Sequence, residues 1–518
     1  MQSRSAQTLA EQDEDLTCCG RATCCHGRLR DVNVTEPLIG WCCDQFTYET
    51  LFWLVTVTLM LSMCGTILYY YVGEPMLPGG NLFGLLATLV FAYFLGWTLA
   101  YVPFLKLPPV FGMLLAGIIV RNAGWYDIHE QLGPRVSSKL RTFSVTFVML
   151  RAGLQFSWLA LREHPLFVLN LAVVPCSMEL AAVALLCRGL LGYPLVWALL
   201  AGSIIACVSP VVPINCMLAL AERGYGEDKE ISTLLFAAAS LDDVHIVSVY
   251  SICFSFVFSD GELPRQWWSY ISGGLRDLLL GTTVGAAFGL LFVFLPHRRH
   301  RYVLWYRVCG LVLGSLMCTT AMTKVLKTGG GFLATIVMSL VATMGWRVLS
   351  VPFDVRPMRR AVHIMWHLMQ PVLVGVIGAE IDFRDWSLAR FGLYVVCISG
   401  GLLVRTIFAY LATFHTPFNS KERLFIALAW ISKGTLQAAL APMTYEQAKL
   451  NDDERELQLA EDVVKMSAVS ILFLAPLGAI VMMLTGPRLL NQTSLEEHRR
   501  RRELSRIKLL SLQPVQRT

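Results

Sequence analysis

Apolar runs of about 20 residues recur almost from end to end of this chain, and that length is what an α-helix needs to cross a bilayer. No other feature of the 518 residues constrains the fold as strongly. In lipid, every backbone N–H and C=O must find a partner within the structure, so helices and closed barrels are the available solutions. A barrel would show short alternating segments, whereas these runs are continuous. Only 15% of the residues are charged, against roughly a quarter in a soluble globule. The fold class read here is an all-α polytopic membrane protein, with the lipid bilayer as its first partner. The formal charge of +6 lies largely in tails and loops. It serves orientation, and no basic patch with aromatics on a soluble domain offers a nucleic-acid surface.

Periodicity and breakers predict about fourteen spans. They fall near 47–71, 81–101, 107–121, 139–155, 165–190, 194–220, 230–258, 270–295, 302–323, 329–347, 361–380, 389–413, 422–444 and 463–486. An even number puts both tails on one side. The tails and the loops of that side hold roughly 25 Lys and Arg, including Arg298, Arg299, Arg359, Arg360 and Arg499 to Arg502, and the opposite loops roughly 10, which places both tails in the cytoplasm. Asn33 and Asn491 would then be cytosolic and not glycosylated. No apolar segment of a cleavable signal is evident before the first span. The cysteine pairs Cys18–Cys19, Cys24–Cys25 and Cys42–Cys43 fit S-palmitoylation or unmodified cytosolic thiols about equally, and zinc spacing only loosely.

Charged residues inside these spans narrow the function. Asp242 and Asp243 stand in Ala-Ala-Ala-Ser-Leu-Asp-Asp-Val-His-Ile-Val, in the middle of the seventh span. One ionisable group at the bilayer centre costs about 3 kcal/mol on insertion scales, and a second carboxylate beside it disfavours ionisation of both. A chain accepts that cost where carboxylates handle protons or cations. Neighbours on a helix point about 100° apart, so one aspartate is expected to face an ion cavity and the other a neighbouring helix.

Polar interruptions echo through the chain. Ser209-Pro210-Val211-Val212-Pro213 interrupts the sixth span and Ser432-Lys433-Gly434-Thr435 the thirteenth, an offset of about 224 residues. Glu179 and Arg405, midway along the fifth and twelfth spans, lie about 226 apart. The pattern predicts two six-helix inverted repeats with crossed broken helices. The layout is a tail over 1–46, an extra helix over 47–72, the first repeat over 81–258, a linker helix over 259–300, the second repeat over 302–486 and a tail over 487–518. The two prolines are expected to break the sixth span. A lysine such as Lys433 can neutralise facing helix C-termini; a pairing with Glu380 is the weaker option.

Hard monovalent cations need oxygen ligands. Asp243 or Asp242, broken-helix oxygens around Ser209, Pro210, Val211 and Gly434, and water can supply them; the hydroxyls of Ser209 and Thr435 either join them or cap exposed backbone. The same carboxylate can hold a proton instead, so proton and cation compete for one place. If the loaded site reaches either face but the empty charged site crosses poorly, obligatory exchange follows. Arginine keeps its proton at any working pH, so a Glu179–Arg405 pair is read as structural. One proton then exchanges for one monovalent cation without net charge movement. His245 is read as a packed or hydrogen-bonded residue rather than a sensor.

Ser-Leu-Asp-Asp, the Ser-Pro broken helix, Pro-Cys-Ser-Met-Glu and Ala-Trp-Ile-Ser-Lys-Gly-Thr-Leu-Gln-Ala-Ala together resemble the animal sodium/proton antiporters of the NHA type, in the monovalent cation:proton antiporter superfamily. Leu-Ala-Gly-Ile-Ile-Val-Arg-Asn at 115–122 and Leu-Arg-Ala-Gly-Leu at 150–154 fit as well. The resemblance implies a homodimer in which a core domain moves against a dimerisation domain. It implies Asp243 as the principal cation and proton site, Asp242 as its partner, and Glu179–Arg405 as a buried ion pair. It implies exchange of sodium or lithium for protons at plasma or endosomal–lysosomal membranes, with no cofactor. Ser432 and Gly434 depart from the family pattern, where proline and alanine flank the lysine.

The alternative is a sodium-coupled symporter of an organic solute on a related inverted-repeat fold. An intramembrane enzyme fits poorly. Asp-Asp-Val-His-Ile lacks the third carboxylate and second cluster that a magnesium–diphosphate site needs, and no Gly-x-Gly-Asp segment is present.

Overall fold

The computed structural model describes residues 48–101, 108–131, 134–155, 164–209, 211–226, 229, 231–258, 267–297, 300–325, 330–349, 355–379, 381–382, 387–414, 416–451 and 453–492. The cysteine pairs before residue 46, Pro210, Glu380, the N-terminal tail and residues 493–518 fall outside these residues. The chain divides into two units, Met1–Glu74 and Pro75–Thr518. The first unit holds α1 (Tyr48–Val72), whose Phe52, Met60, Tyr70 and Tyr71 are exposed. A helix apolar all round is stable only in an apolar surrounding.

The second unit is a packed assembly of helices. In chain order they are α2 (Asn81–Tyr101), α3 (Pro109–Asn122), the short α4 (Ile128–Gln131), α5 (Pro134–Gln155), α6 (Pro165–Leu190), α7 (Leu195–Ile205), α8 (Val211–Glu222) and α9 (Ile231–Phe258). There follow α10 (Trp267–Phe294), α11 (Val303–Val325), α12 (Gly330–Leu349), α13 (Arg356–Gly378), α14 (Leu388–Ala412), α15 (Ser420–Ala429), α16 (Thr435–Leu450) and α17 (Glu454–Leu489). Among the described residues, nine helices of the chain are long and apolar enough to cross a membrane, and four shorter apolar helices accompany them. Most boundaries lie within a few residues of the predicted spans. The largest difference is α17, which starts at Glu454 rather than near 463, because the Asp453 side chain caps it by accepting from Arg455 N.

Without a hydrophobic drive between helices in lipid, close packing relies on small residues. Gly281, Gly285 and Gly289 lie at four-residue spacing on α10 and meet the backbone of Gly330 and Ala334 and the side chain of Val341 on α12. Gly117 of α3 likewise lies against the backbone of α13 at Gly375 and Gly378. These contacts leave no room for a Cβ.

Two apolar segments are interrupted. The first leaves the helix after Ile205 and resumes at Val211; the second leaves after Ala429 and resumes at Thr435. Pro213 does not break the first segment as expected. It falls in the first turn of α8, where backbone N–H groups have no helical acceptor anyway and proline is tolerated.

Candidate cation site

The two interruptions meet. Ser209 N donates to Ser432 O at 3.1 Å, and Ser432 Oγ donates to Ser209 O at 3.5 Å. Unwound backbone at this depth needs such partners or side chains, because lipid supplies none. Gly434 has no side chain at the contact: a Cβ there would lie 2.8 Å from Ser209 Oγ and 2.9 Å from Ser209 Cβ. Overpacking of this kind costs roughly 1–3 kcal/mol. Gly434→Ala is therefore expected to lower the thermal unfolding temperature of the detergent-solubilised protein. An unchanged melt would mean the contact is slack.

The free carbonyls at the end of α7 attract cations, as a helix C-terminus should. Lys433 Nζ donates to Ile205 O at 2.8 Å, Gln437 Nε2 to the same oxygen at 3.0 Å, and Arg405 Nη1 to Ala206 O at 2.6 Å. Lys433 thus stands at the C-terminus that a dipole neutraliser would occupy. It does more: its Nζ lies 2.7 Å from both carboxylate oxygens of Glu179.

Those contacts form a chain of buried charges. Glu179 Oε2 accepts from Arg405 Nη1 at 2.6 Å, and Arg405 Nη2 reaches both oxygens of Asp242 at 3.3 Å. Lys433, Glu179, Arg405 and Asp242 are all buried. Two positive and two negative groups make a formally neutral quartet, drawn from α6, α9, α14 and the second interruption. Asp243 is the neighbouring carboxylate left outside it. Its Oδ1 is buried with no hydrogen-bond partner among the described residues. The charges of both aspartates act on the thiol of Cys207, in the first interruption, and that of Arg151 on α5 acts on Asp243.

The structure brings together Asp242, Glu179, Arg405 and Lys433, and it brings Ser209 to Gly434. Pro210 lies outside the described residues, as do the side chains of Val211 and Thr435. His245 takes the hydrogen-bonded role, with Nε2 2.9 Å from Ser177 Oγ. Sequence reasoning overlooked two residues. Gln437 lies one helical turn after Lys433 and bridges Ile205 to Ser470 Oγ; a polar residue at that spacing within an apolar helix was the available signal. Arg151 stood in a motif quoted only for its resemblance, although any intramembrane arginine is a functional candidate.

Asp243 keeps one buried carboxylate oxygen without a hydrogen-bond partner among the described residues, and an oxygen of that kind can accept a proton or a small hard cation. The family described as "Sodium/hydrogen exchanger, transmembrane" matches residues 89–485. Human sodium/hydrogen exchanger 9B1 is 32% identical over 448 residues, covering 85% of this chain and 84% of the relative. Human sodium/hydrogen exchanger 9B2 is 31% identical over 453 residues, covering 87% and 82%. Among solved structures, the sodium proton antiporter MjNhaP1 of Methanocaldococcus jannaschii superposes with a TM-score of 0.64 at 16% identity, covering 79% of this chain and 99% of that one. That likeness speaks to the fold. The extent of the family match and the relatives' shared identity lead to one conclusion: the chain belongs to the transmembrane sodium/hydrogen exchanger family.

Proposed function

We propose that this protein is a secondary active antiporter that exchanges Na+ or Li+ for H+ by alternating access, with Asp243 as the shared site and Asp242 as its partner. The observation that carries the reading is the charge arithmetic. Asp242 is held by Arg405, and Asp243 stands beside a neutral quartet with an oxygen that has no hydrogen-bond partner among the described residues. A carboxylate in that setting is charged or neutral, and each state has one use. Charged, it binds a cation together with oxygens at the interruptions, for which Ser209, Pro210, Val211, Gly434 and Thr435 are the candidates. Neutral, it carries the proton back. Glu179, Arg405 and Lys433 hold the interruptions in place and move no proton.

The relatives' names support sodium and proton as the exchanged ions. About fourteen spans in two inverted repeats, an extra N-terminal helix and cytoplasmic tails complete the reading, together with a homodimer at plasma or endosomal–lysosomal membranes. The test is transport by the full chain in proteoliposomes under an imposed pH gradient with Na+, Li+ or K+. Proton movement driven by Na+ or Li+ is expected in the direction opposite to the cation. Sodium uptake with no accompanying proton movement would favour the symporter.

Electroneutrality gives a second prediction. Moving one net charge through 100 mV changes the energy by about 2.3 kcal/mol. One-for-one exchange should therefore proceed at the same rate when a potassium diffusion potential of either sign is imposed. A rate that follows the potential steeply would overturn this stoichiometry.

A further inference from the structure

α13 is unlike the other apolar helices. Arg356, Arg359, His363, His367 and Gln370 recur every three or four residues and form one polar stripe. It begins at an arginine-rich end and runs inward to the buried Gln370. Such a stripe within an apolar helix marks a path that water or ions approach. The proposed function uses none of these residues.

Two of them touch. The Nε2 atoms of His363 and His367 lie 2.9 Å apart, with ring centroids 4.2 Å apart in an edge-on arrangement. His367 also packs against Trp97 of α2, and its Nδ1 is buried with no hydrogen-bond partner among the described residues. Across from the pair, on α5, stands Arg151, whose charge acts on His363, on His367 and on Asp243. On the pair's own helix, Arg359 Nε donates to Leu154 O of α5 at 2.8 Å. α3, α11 and α16 also pack on α13. Among the described residues, no charge from them acts on either imidazole.

Proton bookkeeping limits what this pair can do. A hydrogen bond between two Nε2 atoms needs one donor and one acceptor. In the neutral pair the donor ring is protonated at Nε2, so its Nδ1 is an open acceptor; the acceptor ring carries its proton on Nδ1. Either assignment of the two rings leaves one acceptor nitrogen. One added proton fills that nitrogen and gives the pair a positive charge. A second added proton would set two positive rings against each other beside a third cation, so the pair changes by one proton only.

We infer that His363 and His367 form a proton-responsive positioning pair that acts through Arg151 to set the pH at which Asp243 accepts the cation. This rests on the antiporter reading. The neutral pair offers an acceptor to the Arg151 guanidinium and draws it away from Asp243, which leaves the carboxylate open to Na+. The protonated pair offers no acceptor and repels Arg151 toward Asp243, where it competes with Na+. Cation loading then falls on the acid side for a reason separate from protonation of Asp243 itself.

The test replaces both imidazoles by glutamine, which always offers an acceptor and never takes the charge. Sodium-induced thermal stabilisation of the full chain in detergent and sodium-driven proton flux in proteoliposomes would be followed between about pH 4 and 8. At the acid end, His363→Gln with His367→Gln is expected to bind Na+ on the order of tenfold more tightly than the native chain. The two should converge at the alkaline end. Should the double variant fold poorly, His367→Gln alone is expected to show a smaller change in the same direction. In an Arg151→Gln background the histidine substitutions should alter the pH profile no further. Matching profiles of native and histidine-substituted chains overturn the pair's role, as does an undiminished histidine effect without Arg151. If the native chain shows neither stabilisation by Na+ nor flux, the antiporter reading falls and takes this inference with it.

Discussion

Asp243→Asn is expected to abolish sodium-driven proton exchange while leaving the protein at least as stable as the native chain. Asparagine has nearly the same shape, but it neither carries a proton nor offers a full negative charge to a cation. Both halves of the proposed cycle fail at once. Exchange in proteoliposomes should fall by more than about a hundredfold, which corresponds to at least about 2.7 kcal/mol. Stability should move the other way. Two adjacent buried carboxylates on one helix disfavour each other, and among the described residues Asp243 Oδ1 has no hydrogen bond to lose. Neutralising Asp243 removes that repulsion at no cost in volume. The unfolding temperature should therefore hold or rise. A variant that folds and still exchanges at the native rate would move the site elsewhere. A variant that loses both activity and stability would make Asp243 a structural residue.

The opposite pattern is expected for Arg405→Met. Arg405 touches three partners at once: Glu179, Asp242 and the Ala206 carbonyl. Removing it leaves Glu179 with Lys433 alone, Asp242 without its cation and the Ala206 carbonyl without this donor. Breaking a buried ion pair by deleting one member costs about 3–5 kcal/mol. That is a large part of the stability of most folded proteins, roughly 5–15 kcal/mol. Loss of folded protein, read by thermal unfolding and by retention of a single species in detergent, is expected before any transport defect can be measured. Arg405→Met combined with Asp242→Asn should recover part of the loss, because Lys433 still holds Glu179 and the second change removes the carboxylate that lost its cation. If Arg405→Met alone melts within a degree or two of the native chain, the quartet is not holding the interruptions together.

Much of this was legible in the residues. The interruptions showed themselves as polar and proline-rich segments in otherwise apolar runs, and such segments are tolerated at membrane depth only where something satisfies them. The Glu179–Arg405 contact was legible for a similar reason: two charges in lipid-length helices must find opposite charges. Pro213 was misread because proline is read as a breaker wherever it stands, whereas its effect depends on its position within the helix, and the position was known only once α8 had a start. The choice of partners was not legible. Lys433 reaches Glu179 across 254 residues of chain and Arg405 reaches Asp242 across 163. No local pattern encodes contacts over such separations.

Local chemistry alone decided that this chain crosses a bilayer many times, where its helices give way, and which charges lie inside. Each of those follows from the free energy of placing a group in hydrocarbon, a property of the residue and its near neighbours. Which carboxylate is left uncommitted was decided by tertiary packing. Arg405 and Lys433 approach from separate elements and claim Glu179 and Asp242, while Asp243, one residue further along α9, accepts a hydrogen bond from neither. The imidazole pair of α13 comes opposite Arg151 in the same way. Charge balance in a buried site depends on distances of a few ångströms between distant parts of the chain, and only the packed helices set those distances.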